Sequence, residues 1–541
     1  MVWLLNNVYD VEHRAYFMSE KKMELTPLKI RSHGASSVMQ YDERYTPYIE
    51  MTGLLPFVQL VSRSTPNLNA AAVTTLIDRW RPETHSFHLR TGEMTVTLQD
   101  VSMITALPIE GKPLCMSTDS EGWRHQMEAL IGMSPQEPEV EDGGKKDRVP
   151  AGATFTWIAA NFAHCPEDAD DEVIQRYARV YMWYVISRTI FADGTGKNAP
   201  WMWLKALTVL DNKFSWGSAA LAYLYRQLDD ACRRTTKDGG LGGCMLLLSW
   251  DVVSEVASEV NLLYKQYTNE MDSLTPEQVE WEPYGVGPNF GNAHTFELNP
   301  LCVQERHLWL MRCPLICNWA VEFHLPHRVM RQFGYFQPHP PEWVDTDTQL
   351  HRLDRRRQRK IKDWQKHHKS YVITFEQSVQ ATSSIQQTQY RQHCPLAFSN
   401  YVRWFQESTR AEICPTAYEE DILEEPTEYD ALAQGGYNKL IREGYQTSFA
   451  PVLNFVAADD MTLKAFQRSA YMLKPRKEFK RYSPDDYAKG KNPVAGGSRL
   501  SRMRSMDDEV EDDDDDESDD PEQFVVARRK KLASKRGRGP K

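Results

Sequence analysis

Residues 65–108 read TPNLNAAAVTTLIDRWRPETHSFHLRTGEMTVTLQDVSMITALP, and the reading of this stretch decides the fold class. Thr65 followed by Pro66 has the form of a helix start, because the hydroxyl can cap the first turn and proline loses nothing at the first helical position. Leu68, Ala72, Val73, Leu76, Ile77 and Trp80 then recur at helical spacing. Pro82 disfavours the α conformation at Arg81, so the helix is expected to end at Trp80 or Arg81. Two short alternating runs flank Arg90-Thr91-Gly92, with Phe87 and Leu89 on one face of the first and Met94, Val96 and Leu98 on one face of the second. That pattern predicts a β-hairpin over about residues 84–98, with Gly92 supplying a positive φ. Thr97 and Asp100 have the spacing of a capping box, which opens a further helix carrying Val101, Ile104 and Leu107 and stopped by Pro108.

Outward from this stretch the chain reads as mainly α. A first apolar helix is expected around residues 53–62 and another near 122–131. Residues 135–150 have loop composition. From 151 to about 265 the pattern is a helical array. Residues 173–191 are apolar around most of the circumference, as in a central buried helix, and Trp216, Ala220, Tyr223, Leu224, Leu228 and Ala231 form the next stripe. The organisation expected is an N-terminal lead-in (1–49), a large helical domain (50–410, with a subdivision near 265–300), a variable region (411–474) and a disordered tail (475–541).

With 41% hydrophobic and 11% aromatic residues over 541 positions, the chain can fill one large or two ordinary cores. The net charge of −11 is unevenly placed: thirteen Asp or Glu lie in 507–522 and eight Lys or Arg in 528–541. The overall balance therefore argues neither for nor against nucleic acid. Nine scattered cysteines make no disulfide framework, no secretory signal is evident, and no apolar run approaches the ~20 residues of a membrane helix. The expectation is a soluble intracellular protein with reduced thiols and no membrane contact.

Four blocks carry a resemblance. RWRPETHSFHLRTGEMTVTLQDVSMITALPIEGKP (79–113) strongly resembles the signature of the plant mobile domain family, also described as aminotransferase-like. FSWGSAALAYLYRQLDDACRR with LGGCMLLLSW (214–250), PLICNWAVEFHLPHRVMRQFGYFQ (314–337, with Arg328 and Arg331 in its most specific part) and YVRWFQESTR (401–410) extend the resemblance over roughly residues 30–410. It implies a non-enzymatic nuclear protein with an interaction role in meristem maintenance, genome stability or transposon silencing. It also implies partners among nuclear proteins, including a phosphatase-7-like protein and chromatin components. Some relatives carry a fused phosphatase domain, but GDxHG, GDxxDRG and GNHE segments are absent here. Two alternatives remain at this point: a transposon-derived DNA-binding protein, and an enzyme of unknown reaction.

The residues themselves limit the chemistry. A pyridoxal-phosphate aminotransferase needs a Schiff-base lysine and a phosphate cradle on an α/β scaffold, whereas Gly239-Gly240-Leu241-Gly242-Gly243 lacks GxGxxG or Walker spacing. No cofactor is expected. Cys313, Cys317, His324 and His327 have spacing unlike a zinc finger's and include Pro314 and Pro326, so packing is the reading and no metal site is assigned. His85 and His88, three apart in a strand, point to opposite faces and cannot act as one pair. Arg79, Trp80, Arg81, Glu83, His85, His88 and Asp100, with Arg328 and Arg331, form a candidate interaction rim or else salt bridges that fix the hairpin on the helix. Arg355, Arg356, Arg357, Arg359 and Lys360 are candidate phosphate contacts, although interspersed acids also suit a solvated helix face. Arg528, Arg529, Lys530 and Lys531 with Lys535, Arg536 and Arg538 form a two-cluster pattern suited to nuclear import.

Overall fold

A computed structural model of the chain describes residues 5, 7–30, 39–63, 69–136, 150–193, 196–236, 240–248, 260–285, 299–340, 361–384 and 390–413. The acidic run, both basic clusters of the tail and the candidate phosphate contacts between 355 and 360 lie outside the described residues. The fold is mainly α with short strands in small sheets, as the sequence pattern predicts.

In chain order the helices used below are α1 (Arg14–Ser19), α2 (Thr46–Thr52), α3 (Leu55–Arg63), α4 (Ala70–Ile77), α5 (Leu98–Thr105), α6 (Trp123–Ile131), α7 (Phe155–Phe162), α8 (Asp171–Arg188), α9 (Trp201–Ala206), α10 (Trp216–Ala231), α11 (Val260–Asp272), α12 (Lys369–Ser384) and α13 (Pro395–Ser408). The strands are β1 (Trp80–Arg81), β2 (Ser86–Leu89), β3 (Gly92–Met94), β4 (Gly152–Thr154), β5 (Asn198–Pro200), β6 (Cys313–Cys317) and β7 (Ala320–His324).

Most local signals of the opening stretch operate as read. Gly92 has φ 120°, and the Thr97–Asp100 capping box is complete, each partner bonding the other's backbone N–H. The helix before the hairpin differs at both ends. Its N-cap is Asn69, whose side chain accepts from the N–H groups of Ala71 and Ala72, and Thr65 and Pro66 lie outside the described residues. It stops at Ile77, so Trp80 and Arg81 are not helical. They form β1, which pairs antiparallel with β2 in the register Trp80↔Phe87 and Arg81↔Ser86. The expected hairpin is thus the outer part of a three-stranded sheet, β1-β2-β3. Pairing with β2 satisfies backbone groups that Pro82 would have left unmet in a longer helix.

The core is built on α8 and α10. Both are buried almost all round in their central turns, and Trp183, Trp203 and Trp216 pack into the same apolar mass as Trp80 and Phe87. A second hairpin, β6-β7, lies against α10 and α12. The sequence reading has no strand here. Asn318 makes its turn with φ 51°, a conformation asparagine tolerates better than most residues. No helix among the described residues is long and apolar enough to cross a membrane.

Candidate functional site

The strand β2 is buried on both faces, so its polar residues face other protein segments. Asp78, Arg79, Arg81 and Glu93 are each matched by an element distant in sequence. Asp78 accepts from Arg14 Nε at 2.5 Å and from the Tyr264 hydroxyl. Arg79 donates to Asp272 Oδ1 at 2.5 Å and to the carbonyls of Thr75 and Thr268. Arg81 donates to Asp10 at 3.1 Å, and Asp10 also accepts from Arg410 at 2.9 Å. Glu93 and Arg328 form a two-pronged pair, Nε–Oε2 and Nη2–Oε1 both at 2.7 Å, with Ser86 donating to Oε2 as well. Such fork-on-fork geometry is the strong form of an ion pair.

The histidines belong to this hub in separate places. His13 donates from Nε2 to the Trp80 carbonyl at 2.6 Å while its Nδ1 accepts from the Ala15 N–H, which fixes a neutral ring. Burial, then the positive charge of Arg81, pushes its pKa well below the ordinary value. His88 sits between Thr409 (2.6 Å) and Thr84 (3.1 Å), and burial followed by Arg81 and Arg328 likewise holds it low. His85 instead has φ 49° and precedes the strand. Its ring stacks on Tyr225, with centroids 5.0 Å apart, and its Nε2 meets Glu322 Oε2 at 2.9 Å and Asp229 Oδ2 at 3.9 Å. The two histidines therefore serve different neighbourhoods.

This geometry corrects the rim reading. Arg79, Trp80, Arg81, Glu83, His85, His88 and Arg328 are all no more than 2% exposed and offer no surface to a partner. The physical reason is that α10, α11, α13 and the N-terminal residues cover the polar face that strand alternation assigns to solvent. Asp100 is half-buried, with its pKa raised by burial, and accepts from Tyr284 at 3.0 Å besides capping α5. Arg331 is the predicted residue that reaches a surface groove. It lies 5.5 Å from the Trp281 ring and is ion-paired to Glu282. The groove, of about 430 Å³, is open to solvent, with Trp281, Phe398 and Val402 as its floor and Arg331, Arg403 and His393 along its walls. Sequence reasoning missed it because its lining comes from residues 276–281, from Arg331 and from residues 393–406, segments with no shared pattern.

Cys313 and His324 are cross-strand partners in β6-β7, and His324 Nδ1 bonds the Met311 carbonyl at 2.7 Å. Among the described residues the group able to hold a metal ion is instead His85 with Asp229 and Glu322, whose donor atoms all lie within 4.8 Å of one another. No spacing rule could have found it, since the three residues come from three separate blocks.

The model of the plant mobile domain matches residues 56–249 and 240–406, well over half of the chain. The chain belongs to the plant mobile domain family. Curated relatives in Arabidopsis thaliana include a serine/threonine-protein phosphatase 7 long form homolog, 30% identical over 387 residues, 64% of this chain and 27% of that protein. Protein MAIN-LIKE 1 is 31% identical over 53% of this chain and 58% of its own, and Protein MAINTENANCE OF MERISTEMS is 30% identical over 51% and 59%. The chain thus spans between about a quarter and three fifths of the length of these relatives. No solved structure matches it. Within the plant mobile domain of this chain, the matched residues contain the centre of the ionic hub, from Asp78 to Glu93, together with Asp229, Glu322 and Arg328.

Proposed function

We propose that this plant mobile domain protein is a non-enzymatic nuclear interaction module, and that the groove at Trp281 and Arg331 docks a protein partner. The groove is the observation that carries the reading. Its floor is aromatic and aliphatic, its walls hold Arg403, His393 and the Arg331 that pairs with Glu282 alongside the carboxylate of Glu277, and it is open to solvent. An extended segment with one apolar anchor beside a carboxylate fits that chemistry: the anchor covers Trp281 and Phe398, and the carboxylate pairs with Arg403. The signature's own polar groups are committed to internal ion pairs, which suits a scaffold better than a catalytic cleft.

The names of two relatives, MAINTENANCE OF MERISTEMS and the phosphatase 7 long form homolog, are the support for a role in meristem maintenance and a phosphatase-7-like partner. Genome stability and transposon silencing through chromatin components belong to the same reading. Nuclear entry would use the basic clusters Arg528–Lys531 and Lys535–Arg538. The test is affinity purification of the tagged full chain from plant nuclei beside the variants Trp281→Ala and Arg403→Glu. Recovery of a phosphatase or chromatin component by the wild type, with loss in both folded variants, supports the proposal. Equal recovery by all three forms removes the groove from it, and recovery of no such protein overturns the role.

A further inference from the structure

We propose that His85, Asp229 and Glu322 form a buried structural site for a divalent cation of the zinc or manganese class. The argument starts from how each side chain is held. His85 Nδ1 lies 3.0 Å from the Phe323 carbonyl. A carbonyl only accepts, so Nδ1 carries the hydrogen and Nε2 is the ring atom turned toward the two carboxylates. Asp229 Oδ1 accepts from Trp80 Nε1 at 2.7 Å, and Glu322 Oε1 accepts from Arg226 Nε at 2.5 Å. Each residue therefore has one heteroatom fixed by a group outside the trio, while its other atom converges with the other two: Nε2 to Oε2 is 2.9 Å and Nε2 to Oδ2 is 3.9 Å. A ligating histidine ordinarily has its second nitrogen fixed by a carbonyl or carboxylate, as here.

Two of the three spacings fit one ion, and the third, between the two carboxylate oxygens, lies within 4.8 Å, so those oxygens need to close by at most about 0.6 Å. With metal–donor bonds of about 2.1 Å, two donors stand roughly 3.0 Å apart at right angles and about 4.2 Å apart when opposite each other. One imidazole and two carboxylates are a borderline-to-hard donor set, which suits zinc or manganese. The ion would also relieve the approach of an imidazole lone pair to Glu322 Oε2. The three residues are at most 2% exposed, so the site is closed and its role is to join β7, α10 and the segment before β2. It stands independently of the groove.

The test is elemental analysis of the untagged full chain after gel filtration, followed by X-ray absorption at the edge of the metal found. Expected are about one zinc or manganese per chain and a nitrogen/oxygen first shell with an imidazole signature. Chelation should lower the unfolding midpoint, and adding back the same ion should restore it. Asp229→Asn, which keeps an acceptor for Trp80, should cut metal content about tenfold. If that variant does not fold, the wild-type readings still decide. A metal-free chain whose midpoint ignores both chelator and added zinc or manganese overturns the proposal. A sulfur first shell overturns it as well, by moving the metal to cysteines.

Discussion

Removing the arginine from the Glu93–Arg328 pair is the sharpest test of the ionic hub. In Arg328→Met the Glu93 carboxylate, whose side chain is fully buried, keeps the Ser86 hydroxyl but loses both guanidinium contacts. Breaking a buried pair from one side costs about 3–5 kcal/mol, because it strands a charge in a low-dielectric interior. Unfolding entropy near 2.1 cal/mol/K per residue, over roughly 400 folded residues, converts this to a fall in Tm of about 4–6 °C. The double variant Glu93→Leu/Arg328→Met removes both charges and should recover most of that loss, since replacing a buried pair by apolar groups is often close to neutral. A second signature follows from His88 Nε2, 4.0 Å from Glu93 Oε2. Arg328 is one of the charges that hold His88 low, so in its absence a proton on His88 offsets the stranded charge and the deficit should shrink as the pH falls. The assay is thermal and urea unfolding of the full chain followed by circular dichroism. A single variant within 1 °C of wild type, or a double variant no better than the single, would refute the view of this pair as a keystone.

Gly92→Ala should destabilise by about 1–3 kcal/mol, because its φ of 120° is unfavourable for a side chain and the added Cβ would lie 3.0 Å from Tyr401 Cε1. A lowered urea midpoint measures this, and an unchanged one contradicts the turn geometry. Stability should also fall on mild acidification. Burial holds the folded-state pKa values of His13 and His88 well below the ordinary histidine value of about 6.5 and pushes His324 down to about 4. Between about 6.5 and 4 the unfolded chain therefore binds protons that the folded chain refuses, so stability is full above this window and declines through it. Urea midpoints from pH 7.5 to 5 check the sign, and a flat profile refutes it.

What could be read from the sequence was local. The capping box, the glycine turn and the periodicity of α8 and α10 depend on neighbours within a few residues, and they appear as expected. Trp80 continues the helical stripe beyond the end of α4, and only pairing with Phe87, a longer-range event, takes it out of the helix. The β6-β7 hairpin escaped notice for a similar reason. Pro314 sits inside β6 opposite Phe323, and proline discourages a strand assignment unless the strand is known to be an edge. The site failed differently. Strand alternation sets His85 and His88 on opposite faces, whereas His85, with φ 49°, precedes the strand, and alternation carries no information about what covers the polar face. Asp10, Asp272, Arg328 and Thr409 decide that, and nothing near residues 78–93 names them.

The same partners show that the folding unit is larger than the stretch by which the family is recognised. The family match starts at residue 56 and ends at 406. Asp78 needs Arg14, Trp80 has its carbonyl bonded by His13, and Arg81 shares Asp10 with Arg410, all from residues outside that match. His88 likewise leans on Thr409, and Asp272 accepts from the backbone of Ile413 as well as from Arg79. The N-terminal lead-in and the residues after α13 thus close the charge balance of the signature. A buried charge without its partner costs several kcal/mol, so the signature and its flanks must fold together. The groove at Trp281 depends on this closure, because α13, which forms one wall, is held to the hub through Tyr401 and the Glu93 backbone N–H. The buried ion pairs and the exposed docking surface are then two consequences of one arrangement: the pairs fix α13, and α13 shapes the groove.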